Sequence, residues 1–155
     1  MVTPRNDLSA EDTLAVIGLT NRFNFAIDDW RLSEIVDAFT DDGVMDHPAG
    51  RGEGREGVRE FFESYRPETR GVRHQSLNHV VVATGEETAR MESTLLVLRV
   101  AEPDGAPLLN GGPRVRPDPN FPSVLAVAAV ADELRRVGGI WKFARRHVGQ
   151  VVARR

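Results

Sequence analysis

The hydrophobic pattern of this chain changes once, near Gly71, and this change constrains the fold more than any other feature. Before Gly71, apolar residues recur at spacings of three and four, which is typical of amphipathic helices. After Gly71, apolar and polar residues alternate and β-branched residues are common, as strands require. Helices that precede a strongly curved antiparallel sheet predict an α+β domain.

The same pattern places the individual elements. We predict three helices, which cover residues 11–27, 30–39 and 58–66. A short strand at 44–47 and a glycine-rich loop at 50–57 precede the third helix. Four long strands then follow, which cover residues 72–83, 88–101, 123–137 and 140–152. Residues 84–87 and 138–139 have the turn chemistry of hairpins that join neighbouring strands.

The length of the chain, 155 residues, is enough for one domain and too short for two ordinary ones. We therefore expect residues 1–155 to form one domain. Residues 102–122 hold six of the nine prolines, and proline cannot extend a strand because it lacks an N–H donor. We expect an inserted surface loop there, which serves as a lid over a pocket or as an arm onto a second subunit.

Composition excludes several kinds of chemistry. The chain has no cysteine, so disulfides, thiolate metal ligands and cysteine nucleophiles are absent. It has no glycine-rich phosphate or dinucleotide motif and no tight metal-ligand spacing, so we expect no cofactor and no metal. The net charge of −3, with scattered arginines, argues against a nucleic acid partner. The longest apolar run is too short to span a membrane, and without a secretion signal we expect a cytoplasmic protein.

Residues 124–131 are apolar on both faces of their strand. One face is expected to meet the helices, and the other must cover a cavity, a second sheet or a partner chain. The pattern alone therefore predicts either a pocket or a homodimer.

Asp28 and His74 are the candidates for acid–base chemistry. A carboxylate at the end of a helix is disfavoured by the helix dipole, and capping of the next helix explains only one of Asp28 and Asp29. Histidine passes protons near neutral pH, and a carboxylate beside it would fix its tautomer. A lone histidine is ordinarily a half-exposed strand residue, and we interpret His79 and His147 in this way.

Other polar residues have two interpretations each. His47 is a turn residue unless its strand borders the cavity, and Asn78 shares a strand face with the candidate histidine. Asp132 interrupts an apolar strand face, as a charge at the cavity mouth or as a second acid in the pocket. At most one of Arg145 and Arg146 points inward, where it could bind an anionic group or hold an acid.

A series of motifs extends over residues 14–148. The motifs are Phe23-x4-Asp28, Phe39, Asp41-Asp42-Gly43-Val44, Gly54, Arg73-His74-x3-Asn78 and Gly139-Ile-Trp141-Lys-Phe143-x2-Arg146. Their order and spacing resemble the SnoaL-like branch of the nuclear transport factor 2 superfamily. The resemblance implies a cone of curved antiparallel sheet, closed by three N-terminal helices around a deep, mostly apolar pocket, commonly in a homodimer. Members include scytalone dehydratase, bile-acid dehydratase, polyketide cyclases, ketosteroid isomerase and limonene epoxide hydrolase.

The resemblance also implies roles for individual residues. Asp28 and His74 match the positions of an aspartate and a histidine of the dehydratases, so we predict that they are catalytic. Phe23 stands where those enzymes have a tyrosine, and together with the apolar third strand it implies a simpler pocket than that of scytalone dehydratase. The predicted substrate-binding residues are Phe23, His47, Phe62, Tyr65, Asn78, Val97, Arg99, Val130 and Asp132.

The predicted function is that of a cofactor-independent lyase or isomerase, for instance a dehydratase or polyketide cyclase, acting on a polycyclic or aromatic small molecule. His74 would remove or return a proton, and Asp28 would orient its ring. Two alternatives stay open. One is a non-catalytic binding or assembly module, because a fold does not determine a function. The other is an epoxide hydrolase in which Asp28 holds the attacking water.

Overall fold

The computed structural model describes residues 8–101, 120 and 122–153, and in it three helices accompany a six-stranded sheet. The helices are α1 (Ala10–Asp28), α2 (Leu32–Asp37) and α3 (Gly54–Thr69). The strands are β1 (Phe39–His47), β2 (Gly50–Glu53), β3 (Val72–Gly85), β4 (Thr88–Arg99), β5 (Ser123–Val137) and β6 (Ile140–Ala153). The predicted α+β class is confirmed. Apart from residues 120 and 122, the predicted inserted loop lies outside the described residues.

The short elements differ from the prediction. β1 begins at Phe39, five residues before the strand that we predicted at 44–47, and β2 occupies the start of the predicted loop. The segment Asp41-Asp42-Gly43 has the chemistry of a turn, but β1 pairs with β6 on either side of it, and this pairing between distant residues overrides the local preference. α3 also continues past Pro67, where the helix lacks one backbone N–H donor, and it ends two residues later.

The strand order of the sheet is β2-β1-β6-β5-β4-β3. β3 to β6 are antiparallel neighbours, and the predicted two-residue turn joins β5 to β6, with φ of 57° at Gly138 and 82° at Gly139. β1 pairs with β6 in parallel, so the sheet is mixed and not wholly antiparallel as predicted. No hairpin joins these two strands, and therefore no turn requires them to run in opposite directions.

An aromatic cluster packs α1 onto the inner face of the sheet. Phe23 of α1 contacts the rings of Phe39, Phe62 and Phe143, with centroids 5.2 to 5.8 Å apart and edge-to-face geometry. All four side chains are 2% exposed or less. The core therefore lies between the helices and the sheet. A separate finding is that no helix within the described residues is long and apolar enough to cross a membrane.

A β-bulge at Asn78 changes which side chains of β3 face the interior. The pairing with β4 shifts between Leu77 and Val80, and Asn78 has φ of 55°, a left-handed conformation that asparagine tolerates. Leu77 and Asn78 are both exposed, and the inner face resumes at His79. Asn78 therefore does not share the face of His74 as we predicted, whereas His79 does.

Candidate functional site

Asp28 and His74 form a hydrogen-bonded pair where the end of α1 meets the start of β3. Nδ1 of His74 lies 2.7 Å from Oδ1 of Asp28, and the backbone N–H of His74 donates to both carboxylate oxygens at 3.1 and 3.2 Å. The side chains are 7% and 3% exposed. Because an ionised carboxylate only accepts hydrogen bonds, Nδ1 carries the proton and Nε2 is left to accept a proton from a ligand.

A second hydrogen bond between the same two elements keeps the pair in place. Nδ2 of Asn24, one helical turn before Asp28, donates to Oγ of Ser76 at 2.9 Å. Ser76 lies two residues after His74 and shares its strand face. The last turn of α1 is thus bonded to β3 at two successive inward positions, which limits movement of the histidine ring.

His74 lines a cavity of about 270 Å³ between the sheet and the helices. Five of the predicted substrate-binding residues lie in the same wall, namely Phe23, His47, Tyr65, Val97 and Arg99. The rest of the wall comes from residues that we did not predict as substrate contacts, namely Asn24, Ile27, Met45, Leu95, Leu125, Ala126, Ala128, Arg146, Val148 and Val151. Most of these side chains are apolar, and they extend over α1, β1, β4, β5 and β6.

Four predicted substrate-binding residues do not lie in this wall. Phe62 belongs to the aromatic cluster and is 1% exposed, and Val130 is buried in the core. Asn78 is exposed because of the bulge. Asp132 is buried, and it contacts a residue of the wall instead of the cavity itself.

His47 is held at the end of β1 by two aromatic rings and one backbone group. Its ring lies 4.9 Å from the Tyr65 ring and 5.8 Å from the Phe61 ring, and the N–H of Ala49 donates to its Nδ1 at 3.0 Å. Burial lowers the pKa of His47, and the nearby His74 lowers it further. The ring is therefore neutral near pH 7 and carries its proton on Nε2, the nitrogen that can donate to a ligand.

Arg146 and Asp132 form a buried ion pair beside the cavity. Nη1 of Arg146 donates to Oδ2 of Asp132 at 2.8 Å, and the side chains are 2% and 0% exposed. The guanidinium lies 5.0 Å from the ring centres of Phe23 and Phe143. Burial raises the pKa of Asp132 to about 6, although Arg146 lowers it. Of the two adjacent arginines only Arg146 is fully buried, and Arg145 makes a partly exposed ion pair instead.

Metal ligands do not come together in the described part of the chain. No group of three histidine, aspartate or glutamate side chains there could hold a metal ion. The polar side chains in the cavity wall carry two imidazoles, two guanidinium groups, a phenol and an amide.

Comparisons with known proteins agree with the motifs. Residues 8–147 match the SnoaL-like domain family, and no curated protein matches the sequence. A protein of unknown function with a cystatin-like fold from Nostoc punctiforme is 24% identical, with a TM-score of 0.74 over 92% of each chain. A provisionally assigned scytalone dehydratase from Novosphingobium aromaticivorans is 19% identical, with a TM-score of 0.68 over 93% of this chain and 88% of that one.

ActVI-ORFA from Streptomyces coelicolor is similar to the same degree. It is 20% identical, with a TM-score of 0.68 over 88% of this chain and 94% of that one. Identities this low indicate a shared fold only, whereas the family match covers most of the chain. The chain therefore belongs to the family of SnoaL-like domains.

Proposed function

We propose that the protein is a cofactor-independent lyase or isomerase, either a dehydratase or a cyclase, that acts on a small cyclic molecule with a carbonyl group. The observation that carries the proposal is the buried His74–Asp28 pair in the wall of an apolar cavity. The structure provisionally assigned as a scytalone dehydratase shares this fold, and its assignment supports the dehydratase form of the proposal.

His74 transfers the proton, and His47 stabilises the charge that develops on the substrate. Nε2 of His74 removes a proton from the carbon next to the carbonyl, and Asp28 stabilises the imidazolium that forms. Nε2–H of His47 donates a hydrogen bond to the carbonyl oxygen, where negative charge develops. In a dehydratase, His74 returns the proton to the β-hydroxyl, which leaves as water as the C–C double bond forms. In an isomerase, the proton returns to a different carbon.

The cavity limits the size and polarity of the substrate. Its volume of about 270 Å³ is at the small end for ligand pockets, so one or two fused rings fit. The mostly apolar wall lowers the polarity around the substrate, which strengthens each hydrogen bond made to the reacting oxygen.

Activity assays on bicyclic β-hydroxy ketones test the proposal, because dehydration to a conjugated enone is visible by absorbance. We expect His74→Gln and Asp28→Asn each to lower kcat/KM by roughly 10²- to 10⁴-fold. His147→Gln is the matched control, since this histidine is half exposed and lies outside the cavity wall. Undiminished turnover in both site variants would show that the assignment is wrong. Binding without turnover would favour the binding module instead.

The epoxide hydrolase alternative has less support from the geometry. Both oxygens of Asp28 accept hydrogen bonds from His74, and the carboxylate is 3% exposed. It is therefore poorly placed to hold an attacking water molecule.

We further propose a homodimer formed through the outer face of the sheet. On this face Val80 and Val82 of β3 are 58% and 46% exposed, and Val127 of β5 and its pairing partner Val152 of β6 are 40% and 75% exposed. Exposed apolar side chains that lie together in this way mark interaction surfaces. Light scattering coupled to gel filtration should give twice the monomer mass, and Val80→Glu should halve it. A monomeric wild-type protein would contradict this part of the proposal.

A further inference from the structure

The charged side chains in the cavity wall are all basic. Among the described residues that line the cavity, Arg99 and Arg146 are the charged ones, and there is no aspartate or glutamate. The nearby carboxylates, Asp28 and Asp132, lie behind His74 and Arg146 and are hydrogen-bonded to them. A ligand in the cavity thus meets positive charge and N–H donors, whereas the negative charges stand one layer further back.

Arg146 has donors left over for a ligand. A guanidinium has five N–H groups, and within the part of the chain that is described only Nη1 has a hydrogen-bond acceptor, Asp132. The rings of Phe23 and Phe143 lie near the guanidinium and leave its edge as the approach for a polar ligand. Paired N–H groups at such an edge match the two oxygens of a carboxylate.

Asp132 holds this guanidinium in one position. Both side chains are at most 2% exposed, so the arginine cannot swing out to solvent as a surface arginine does. A donor that is fixed before the ligand arrives loses little entropy on binding, and the low polarity of the surroundings strengthens its attraction for an anion.

We propose that the ligand of this cavity is an organic anion whose carboxylate is bound at the edge of Arg146, with its rings against the apolar wall. This inference rests on the proposed function only in that both use the same cavity, because an anion can bind there whether or not His74 performs chemistry. A purely structural ion pair between Arg146 and Asp132 would instead bind anionic and neutral ligands of one shape equally well.

The test compares 1-naphthoate with the neutral, similarly shaped 1-naphthamide by isothermal titration calorimetry. We expect the wild-type protein to bind naphthoate about ten to a hundred times more tightly, as charge-assisted hydrogen bonds give. The variant Asp132→Val/Arg146→Met removes the pair as a unit and should bind the two probes equally. Arg145→Met, the matched control on the adjacent residue, should keep the preference.

Two further variants separate this proposal from others. His74→Gln, which removes the proposed base, should keep the preference for naphthoate even if it abolishes turnover. Arg146→Lys keeps the charge and the partner but loses the paired donors, so it should reduce the preference, and it replaces the double variant if that one does not fold.

Three results would overturn the inference. The first is equal affinity of the wild-type protein for the two probes. The second is no binding of naphthoate at millimolar concentration. The third is an unchanged preference in the Arg146 variants, and loss of the preference in Arg99→Met would then place the anion at Arg99.

Discussion

Replacing Arg146 with methionine should destabilise the protein by an amount that depends on pH. Methionine keeps most of the apolar stem of the side chain, but it leaves the carboxyl group of Asp132 without a partner at 0% exposure. An unpaired carboxylate at such a site takes up a proton instead of staying charged. The part of the cost that depends on pH is therefore the cost of protonating Asp132 at the pH of the experiment.

The structure allows this cost to be worked out. With Arg146 present, the pKa of Asp132 is raised from 3.8 to about 6, so the folded state binds more protons than the unfolded state between these two values. The contribution of Asp132 to the free energy of unfolding therefore rises as the pH falls from about 6 to 3.8. Without Arg146 the pKa of Asp132 rises further, so the pH range over which this contribution changes extends above 6. Each pH unit above 6 then adds up to about 1.4 kcal/mol to the deficit of Arg146→Met relative to wild type.

Urea unfolding, followed by circular dichroism, measures this deficit. It should be about 1.4 kcal/mol larger at pH 7 than at pH 5 and about 3 kcal/mol larger at pH 8 than at pH 5. The double variant Asp132→Val/Arg146→Met is the control, because it has no carboxyl group to titrate at this position. A deficit in Arg146→Met that is the same from pH 5 to pH 8 would refute the reasoning.

Three further predictions concern stability. Trp141→Phe removes the indole donor to Asp12 (2.8 Å) and should cost roughly 1 kcal/mol in urea unfolding. Gly43→Ala places a Cβ 2.9 Å from a carbonyl oxygen of its own strand and should cost about 1–3 kcal/mol, whereas Gly57→Ala, at 3.4 Å, should not destabilise. Because the pKa of His47 is lowered in the folded state, the unfolded state takes up a proton first as the pH falls below 6.5, and the wild-type protein loses stability. His47→Gln removes this titration and should therefore lessen that loss. Identical plots of stability against pH for the two proteins would contradict this.

The long elements could be predicted because each has an unambiguous period. β5 was predicted at residues 123–137 and is found as Ser123–Val137, and the helix predicted at 11–27 is found as Ala10–Asp28. The approach of Asp28 to His74 agrees with the positions that the family resemblance implies. Only the strand predicted at 44–47 anticipated β1. The earlier part of β1 could not be predicted, because the pairing of Phe39 with Phe143 joins residues about a hundred positions apart and the segment Asp41-Asp42-Gly43 has the chemistry of a turn.

The bulges account for most of the remaining differences at the site. If β5 and β6 paired without interruption from the turn after Val137, Asp132 would lie opposite Arg145. The register of the two strands shifts between Glu133 and Leu134, and Asp132 lies opposite Arg146 instead. In β3, a similar shift exchanges the faces of Asn78 and His79. Strict alternation predicts every position up to a bulge and reverses all those beyond it. The local sequence gives no clear signal of where the extra residue lies.

The bulge in β3 also separates the curvature of the sheet from the choice of side chains that face inward. If Asn78 were deleted, Leu77 would still face outward and His79 inward, so the same side chains would meet the interior. The bend would be lost, because the extra residue is what curves a bulged strand and increases its twist. The number of residues in the strand, and not their identity, therefore controls how strongly this part of the sheet curves. Single-residue insertions and deletions here would change that curvature and leave the inward side chains of β3 as they are.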